Sequence, residues 1–396
     1  MAPGTELSQI VAPVVRRELP GVLDLRHELH SRPELQYAEN RTCALIRDIL
    51  DGEALTVLPP FLGTDTVCIL EGGKPGPTVL LRADIDALPI HEETGVSWCS
   101  KNAGVQHACG HDGHTAILTG TIMTLLRLRE SLRGRVVFVF QPAEEGGGGA
   151  ERLIDAGLFD STGLPDAAFA LHGWPGLPEG VFTSRAGPVM AAQDRFYIDI
   201  TGSGGHGAMP QLSRDPVLAA ASLIMELQSL VSRETDPRLP SVLSVCTVHG
   251  GTAENIIPDT ASLSGTTRYF RDVERDFFEE RIHSLTDLVC KAHRTEGKLR
   301  YVHGYIPAVN DPVMVQTCGN ILTGTLGPEY WNGAGDMYMT AEDFAYFLRA
   351  VPGALLFLGL GEHWPGLHTP SFDFNDTVLE TGITGLSVLA LEFGKQ

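Results

Sequence analysis

Apolar positions recur along this chain with two different periods. A spacing of three to four residues runs through Val14–Ser31, Asn40–Leu50, His114–Leu132 and Glu151–Ala156 and predicts helices, the first closed off by Pro33. Between them lie short runs of strand type, Thr66–Leu70, Thr78–Leu81, Arg135–Phe140 and Ala167–Leu171, rich in β-branched and aromatic residues or continuously apolar. Strands alternating with helices imply an α/β fold with a mainly parallel sheet flanked by helices. Near Gly187 the pattern changes. Arg195–Thr201 alternates polar and apolar residues, then come a helix over Pro216–Ser232, strands over Ser241–Val248 and Ser262–Arg271, a helix near Val273–Thr295 and a strand at Lys298–His303. That order is the one of a ferredoxin-like α+β domain. After Tyr305 the earlier style resumes, with Ala354–Leu360 as a buried strand. The expected organisation is an α/β domain in two parts, residues 1–186 and 304–396, interrupted by an inserted α+β domain at 187–303.

Composition agrees with two cores. The 396 residues exceed the roughly 250–300 that one hydrophobic core supports. With 29 Lys+Arg against 49 Asp+Glu the formal charge is −20, which repels nucleic-acid backbones and anionic membranes, so neither is the expected partner. No apolar run approaches the ~20 residues that span a bilayer. The opening MAPGTELSQI lacks the basic-then-apolar pattern of a secretion signal, so the expected location is the cytoplasm. The 7 cysteines are odd in number, scattered and free of CxxC spacing, as in a reducing compartment with mostly buried thiols.

The chemistry lies where the strands end. Thr78–Leu81 runs into Arg82-Ala83-Asp84-Ile85-Asp86, Arg135–Phe140 into Gln141-Pro142-Ala143-Glu144-Glu145 and a glycine run, and Ala167–Leu171 into His172. Ala354–Leu360 is followed by a loop to His368, and His107-Ala108-Cys109-Gly110-His111-Asp112-Gly113-His114 precedes a helix. Ligands of open parallel sheets bind beyond the carboxyl ends of the strands, so these side chains share one rim. Imidazole, carboxylate and thiolate together suit borderline divalent metals: zinc, manganese, cobalt or nickel. Gly110 and Gly113 are expected to turn the chain with φ > 0, aiming Cys109 and His111 at one centre. Glu144 and Glu145 project in different directions, so one can bind metal while the other addresses bound water, whose pKa a metal lowers from about 15.7 towards roughly 7.

Each residue also has a plainer reading. Cys109 could be a packed core thiol, His172 and His368 satisfied structural histidines, Glu144-Glu145 a solvated helix start, and Asp84 a turn cap. His107 and His114 read better as structure than as ligands, His114 in the first turn of the following helix. The joint pattern is harder to dismiss, because unrelated structural residues have no reason to share a rim.

HACGHDGHTA, QPAEEGGGGA, ALHGWPGLPEG, GGHGAMP, ENIIPD with GTTR, TAEDFAYF and LHTPSFDFND occur in this order. Together they resemble the metallo-aminoacylase and carboxypeptidase family with a co-catalytic metal pair, in particular its hippurate hydrolases, N-acyl-amino-acid amidohydrolases and indole-acetyl-amino-acid hydrolases. The likeness runs from about RHELHSRPEL to the C-terminus. It implies two divalent ions per chain, manganese or zinc, with cobalt or nickel as alternatives. Cys109, His111, Glu145, His172 and His368 match the ligand positions, Cys109 as the bridging one. Glu144 matches the general base and acid, and Asp84 the residue that orients a ligand. The wider family has a metal-binding histidine where Arg82 stands, a change this subfamily shares.

The resemblance also makes the insert a lid and dimerisation domain. His206 would hold the scissile carbonyl there, and Asn255 and Arg268 would bind the substrate carboxylate in a charge-assisted fork. A turn for His206 and strand-end bonding for the other two are the plainer readings. Gln211 stands where many relatives have His. Glu342, Asp343 and Phe344 would shape the pocket, support the ligands or start a helix. The implied activity is metal-dependent hydrolysis of an N-acyl (or aroyl) amino acid to a carboxylic acid and a free amino acid, by a small-molecule hydrolase acting as a homodimer or larger homo-oligomer. Alternatives are a dipeptidase or carboxypeptidase and, more remotely, a cysteine hydrolase using Cys109.

Overall fold

The computed structural model describes residues 6–395. The chain forms two compact units, one made of residues up to Val189, Val309–Asp336 and everything from Asp343 on, the other of Met190–Ala308 and Met337–Glu342.

The first unit is built on an eight-stranded sheet. Its four central strands run in the order Arg133–Gln141, Lys74–Asp84, Ala167–Pro175, Gly353–Gly361, all parallel. The carboxyl halves of the first two, and nearly all of the other two, are buried, as expected of strands covered on both faces. Outside them, Thr66–Glu71 and Phe182–Thr183 pair antiparallel and end the parallel run.

Three helices, Glu6–Ser31, His111–Arg127 and Leu379–Phe393, pack against one another. Almost every residue of His111–Arg127 is buried, which places it inside the unit. The first helix begins well before Val14 and contains Pro13 and Pro20. Both prolines lie on its exposed side, where water can take the carbonyls they leave unbonded. Two helices had no clear periodic signal in the sequence: Pro312–Leu326, capped by Asp311 accepting from the Val313 and Met314 amides, and Leu379–Phe393, buried along most of its length.

One local expectation is corrected here. Gly110 does take φ = 85°, but the helix starts at His111, so Gly113 is helical and makes no turn. Gly113 is needed for space instead: a Cβ there would sit 2.3 Å from the buried Phe374 ring. Gly113→Ala is expected to cost about 1–3 kcal/mol of stability by overpacking. Urea unfolding checks this, and an unchanged midpoint would show that the ring can move aside.

The second unit is a four-stranded antiparallel sheet in the order Val242–Gly250, Thr260–Tyr269, Ala192–Thr201, Glu296–His303. Helices Pro216–Ser229 and Val273–Ala292 pack on each other and contribute Leu223, Leu227, Phe278 and Ile282 to a core with Phe196, Ile198 and Ile200. Strand order and connections are those of a ferredoxin-like fold. All seven cysteines are free, with Cys99 and Cys246 exposed and the rest buried. No helix of the described residues is long and apolar enough to cross a membrane.

Candidate metal centre

The four parallel strands deliver their polar residues to one end of the sheet. Cys109, His111 and His172 bring ligand atoms within 4.8 Å of one another, and so do Cys109, Glu145 and His368. Cys109 Sγ lies 3.5 Å from His172 Nε2 and 3.3 Å from His368 Nε2, while His368 Nε2 is 3.1 Å from Glu145 Oε1. His111, Glu144 and Glu145 form a third such group. Residues separated by up to 259 positions thus meet through strand ends, one helix start and one loop.

Two backbone positions adjust the aim. Ala143 (φ 58°) and His368 (φ 59°) occupy the left-handed region, which costs of order 1–3 kcal/mol each for a residue with a side chain. The His368 amide donates to the Ala108 carbonyl at 2.7 Å, tying its loop to the Cys109 segment. His111 Nδ1 lies 2.9 Å from the Asp86 carbonyl oxygen and donates to it, and its buried Nε2 has no hydrogen-bond partner among the described residues.

Charge in the centre is one-sided. Burial disfavours a proton on His111, but Asp84, Asp86 and Glu145 outweigh it and push its pKa up to about 10. Burial, reinforced by Glu145, Glu144 and Asp84, holds the Cys109 thiol well above its ordinary value. Burial and His114 push His172 well below its own, so that ring is neutral. This surplus of carboxylates around thiol and imidazole is the field that a divalent cation would neutralise, with His111 Nε2 already aimed inward. The donor set fits a metal.

Asp84 behaves differently from the residues around it. Its Oδ1 accepts from His114 Nδ1 at 2.6 Å, and His114 Nε2 in turn accepts from the Gly173 amide at 2.7 Å. Its Oδ2 lies 2.7 Å from Arg82 and 3.6 Å from His111 Nε2. His114, in the first turn of its helix, therefore bridges Asp84 to the strand end that carries His172. Arg82 also reaches Gln141 at 2.7 Å and Asp343 at 3.0 Å, all buried, and Asp343 accepts from the Ala150 amide. Asp343 thus braces the rim; Phe344 lies under the Arg82 guanidinium at 5.9 Å, and Glu342 is buried in the second unit. Arg82→Met would leave two buried carboxylates without their cation. We expect it to cost about 3–5 kcal/mol in urea unfolding; a parental midpoint would mean that the carboxylates find another partner.

His30, Asp112 and Asp373 also cluster at ligand distance. Arg26 already lies 2.5 Å from Asp373, 2.7 Å from Asp376 and 3.6 Å from Asp112, and His30 lies 2.7 Å from Asp112 and 3.2 Å from Glu92, so two cationic groups already hold these carboxylates. Asp112 follows His111 and Asp373 follows the His368 loop, so this hub ties the first helix to both. RHELH places Arg26 and His30 one turn apart on a helix, a signal the sequence reading passed over. Asp86 is a second omission: it lies two residues beyond Asp84 and accepts from the Glu144 amide at 3.0 Å and the Glu145 amide at 2.9 Å.

In the second unit, His206 and Asn255 come together: Gly207 donates to the Asn255 carbonyl, and Ile256 pairs with His206. Both are exposed. Arg268 is not with them. It lies eight residues along the strand from Thr260, about 27 Å at ~3.4 Å per residue, and its guanidinium bonds Thr266 and the Thr267 carbonyl. The expected fork of Asn255 with Arg268 does not form within this unit, because an extended strand separates its ends. Three of the four tryptophans have separate surroundings: the Trp174 and His172 rings meet edge to face with centroids 5.3 Å apart, Trp364 donates to the Asp373 carbonyl, and Trp331 packs over Gly319.

Residues 80–392 match the model of the Peptidase family M20/M25/M40. The chain belongs to this family. Among its relatives, N-acetyl-L-cysteine deacetylase of Bacillus subtilis is 36% identical over 90% of this chain and 84% of its own length. An IAA-amino acid hydrolase (ILR1-like 5) of Arabidopsis thaliana is 36% identical over 94% and 86%. Thermostable carboxypeptidase 2 of Saccharolobus solfataricus is 34% identical over 95% and 96%. In three dimensions the chain is similar to the Bacillus subtilis YXEP protein, a dinuclear metal binding peptidase from the M20 family, with a TM-score of 0.83, 31% identity and coverage of 96% and 99%. This M20 chain is therefore a metal-binding hydrolase that acts on amide bonds.

Proposed function

We propose that this M20 chain hydrolyses N-acyl or N-aroyl amino acids to a carboxylic acid and a free amino acid, using two divalent ions. The observation that carries the reading is the meeting of five donors with Glu144 at one rim, His111 Nε2 buried without a hydrogen-bond partner. Cys109 belongs to both donor groups, one with His111 and His172 and one with Glu145 and His368, and we assign it as the bridge. Manganese or zinc suits this mixed set best, and cobalt or nickel would also bind it. Bound ions would supply Lewis acidity, making water acidic and the amide carbonyl electrophilic.

The rest is done by the chain. Glu144, buried beside Glu145, takes the proton of the attacking water and returns it to the leaving nitrogen. Asp84 keeps His114 and the strand end behind His172 in place. His206 is assigned to the carbonyl oxygen, and Asn255 and Arg268 to the substrate carboxylate. We assign the contact of a homodimer or larger homo-oligomer to the second unit. A thiol ligand suits a reducing compartment, the cytoplasm.

A cysteine nucleophile needs a lowered thiol pKa, and burial beside carboxylates does the opposite to Cys109. Peptide cleavage is the second reading, favoured by the likeness to the carboxypeptidase. Protein reconstituted with manganese or zinc should be given N-acetyl, N-benzoyl and long-chain N-acyl amino acids beside dipeptides. We expect kcat/KM at least about tenfold higher for the best acyl amino acid than for any dipeptide, a margin that one or two pocket contacts supply. The reverse ranking would favour the peptidase, and hydrolysis of neither would sink the reading.

A further inference from the structure

The segment that leads into Cys109 holds the His368 loop at two points. The His368 amide donates to the Ala108 carbonyl at 2.7 Å. Further along the loop, Gln106 Nε2 donates to the Phe372 carbonyl at 2.7 Å, with the Pro370 carbonyl 3.4 Å from the same nitrogen. Two carbonyl oxygens face this end of the side-chain amide, so it is the NH₂ end. Gln106 is fully buried, and its backbone pairs in both directions with Leu88.

We propose that Gln106 is a positioning residue, which docks the His368 loop on the Cys109 segment and thereby governs the occupancy of one ion site of the two. This inference rests on the reading of Cys109, Glu145 and His368 as ligands of one ion and of Cys109, His111 and His172 as ligands of the other.

The two donor groups are supported unequally. His172 lies in the strand Ala167–Pro175 and His111 opens the helix His111–Arg127, and both are buried. His368 stands on the loop after Gly353–Gly361, in the left-handed region, with 51% of its side chain exposed. Such a backbone persists only if its surroundings over-determine it. Asn375 closes the base of the loop on the Leu360 carbonyl at 2.8 Å, and Trp364 crosses it to the Asp373 carbonyl at 2.6 Å. Those bonds shape the loop but do not tie it to Cys109. The Glu93 amide also takes the Pro370 carbonyl, at 2.8 Å, but Glu93 is exposed and water competes there, whereas the Gln106–Phe372 bond is buried. Gln106 and Ala108 adjoin Cys109, so their two bonds set the His368 ring against the sulfur, 3.3 Å away. Without the buried donor the docked loop is only part of the population, and apparent affinity for its ion falls by that fraction.

The test is Gln106→Met, which has nearly the same shape and no donor. Zinc affinity is read by competition with a chromophoric chelator, and bound zinc by plasma emission. We expect one ion to keep its affinity within about threefold and the other to bind about 10–100-fold more weakly, as on loss of an outer support of a ligand. With both sites filled by excess zinc, kcat should return to within about threefold of the parent, because docking acts on occupancy. In the His368→Ala background, Gln106→Met should change the affinity of the remaining ion by less than about threefold, because it acts through His368. Gln106→Asn keeps a polar amide but is a methylene too short for Phe372. It should fold even if Gln106→Met does not, and should show the same selective loss. The inference is overturned if the folded variant binds both ions within about threefold of the parent, weakens both alike, or stays below about a third of parental kcat with both ions bound. An equal loss in the His368→Ala background overturns it too. A parent that binds fewer than two zinc ions, or a His368→Ala variant that binds two with parental affinity, would instead remove the ligand reading, so the two failures are distinct.

Discussion

Replacing Glu144 by Gln should lower kcat by about 10²–10⁴-fold, the usual worth of a positioned general acid–base group. The amide is nearly isosteric, so the buried position beside Glu145 stays filled, and metal content, measured by plasma emission, should match that of the parent. What goes is the ability to carry a proton from water to the departing nitrogen. KM should change little, because the carboxylate acts on the reacting atoms and the assigned substrate-binding groups lie elsewhere. Retained turnover with full metal occupancy would remove Glu144 from this role.

The second large effect is expected at Cys109. Its sulfur is common to both donor groups, 3.5 Å from His172 Nε2 and 3.3 Å from His368 Nε2, so Cys109→Ala weakens both proposed ion sites together. Lewis-acid assistance is worth several kcal/mol. At ~1.4 kcal/mol per factor of ten, its loss lowers turnover by about 10³-fold or more. The measurement pairs activity with metal stoichiometry, and exhaustive chelation of the parent should reproduce the loss reversibly. A cysteine hydrolase would behave otherwise, surviving chelation and dying with thiol alkylation. An alanine variant holding two ions at parental activity would show that the sulfur is a packed core thiol after all.

Much of the α/β order was legible because it is local. A buried parallel strand needs a continuous apolar run, and Arg135–Phe140 has one, so the element is visible without knowing its neighbours. The insert's alternating Arg195–Thr201 is visible for the opposite reason, one face buried and one face polar. The first turns of His111–Arg127 were harder to read. Gly113 reads as a turn residue in the sequence but is a packing residue in the fold, because the ring that excludes a Cβ there belongs to Phe374, 261 positions away. Leu379–Phe393 was hidden because burial on several sides erases a period, whereas Pro312–Leu326 has a single buried stripe whose pattern is blurred by the exposed Val313.

What the amino-acid sequence determined by itself is the family, the alternation of elements and the identity of the side chains at the strand ends, since each of these is written in short segments. Only the tertiary structure decided how those side chains are used. It joined Asp84 to His114 and Arg82, assigned three consecutive amides to Glu39 and Asp86, and set Arg268 at the far end of its strand from His206 and Asn255. The reason is physical: a hydrogen bond is settled by distances of a few tenths of an ångström between groups far apart in the chain, and residue spacing holds no record of such distances.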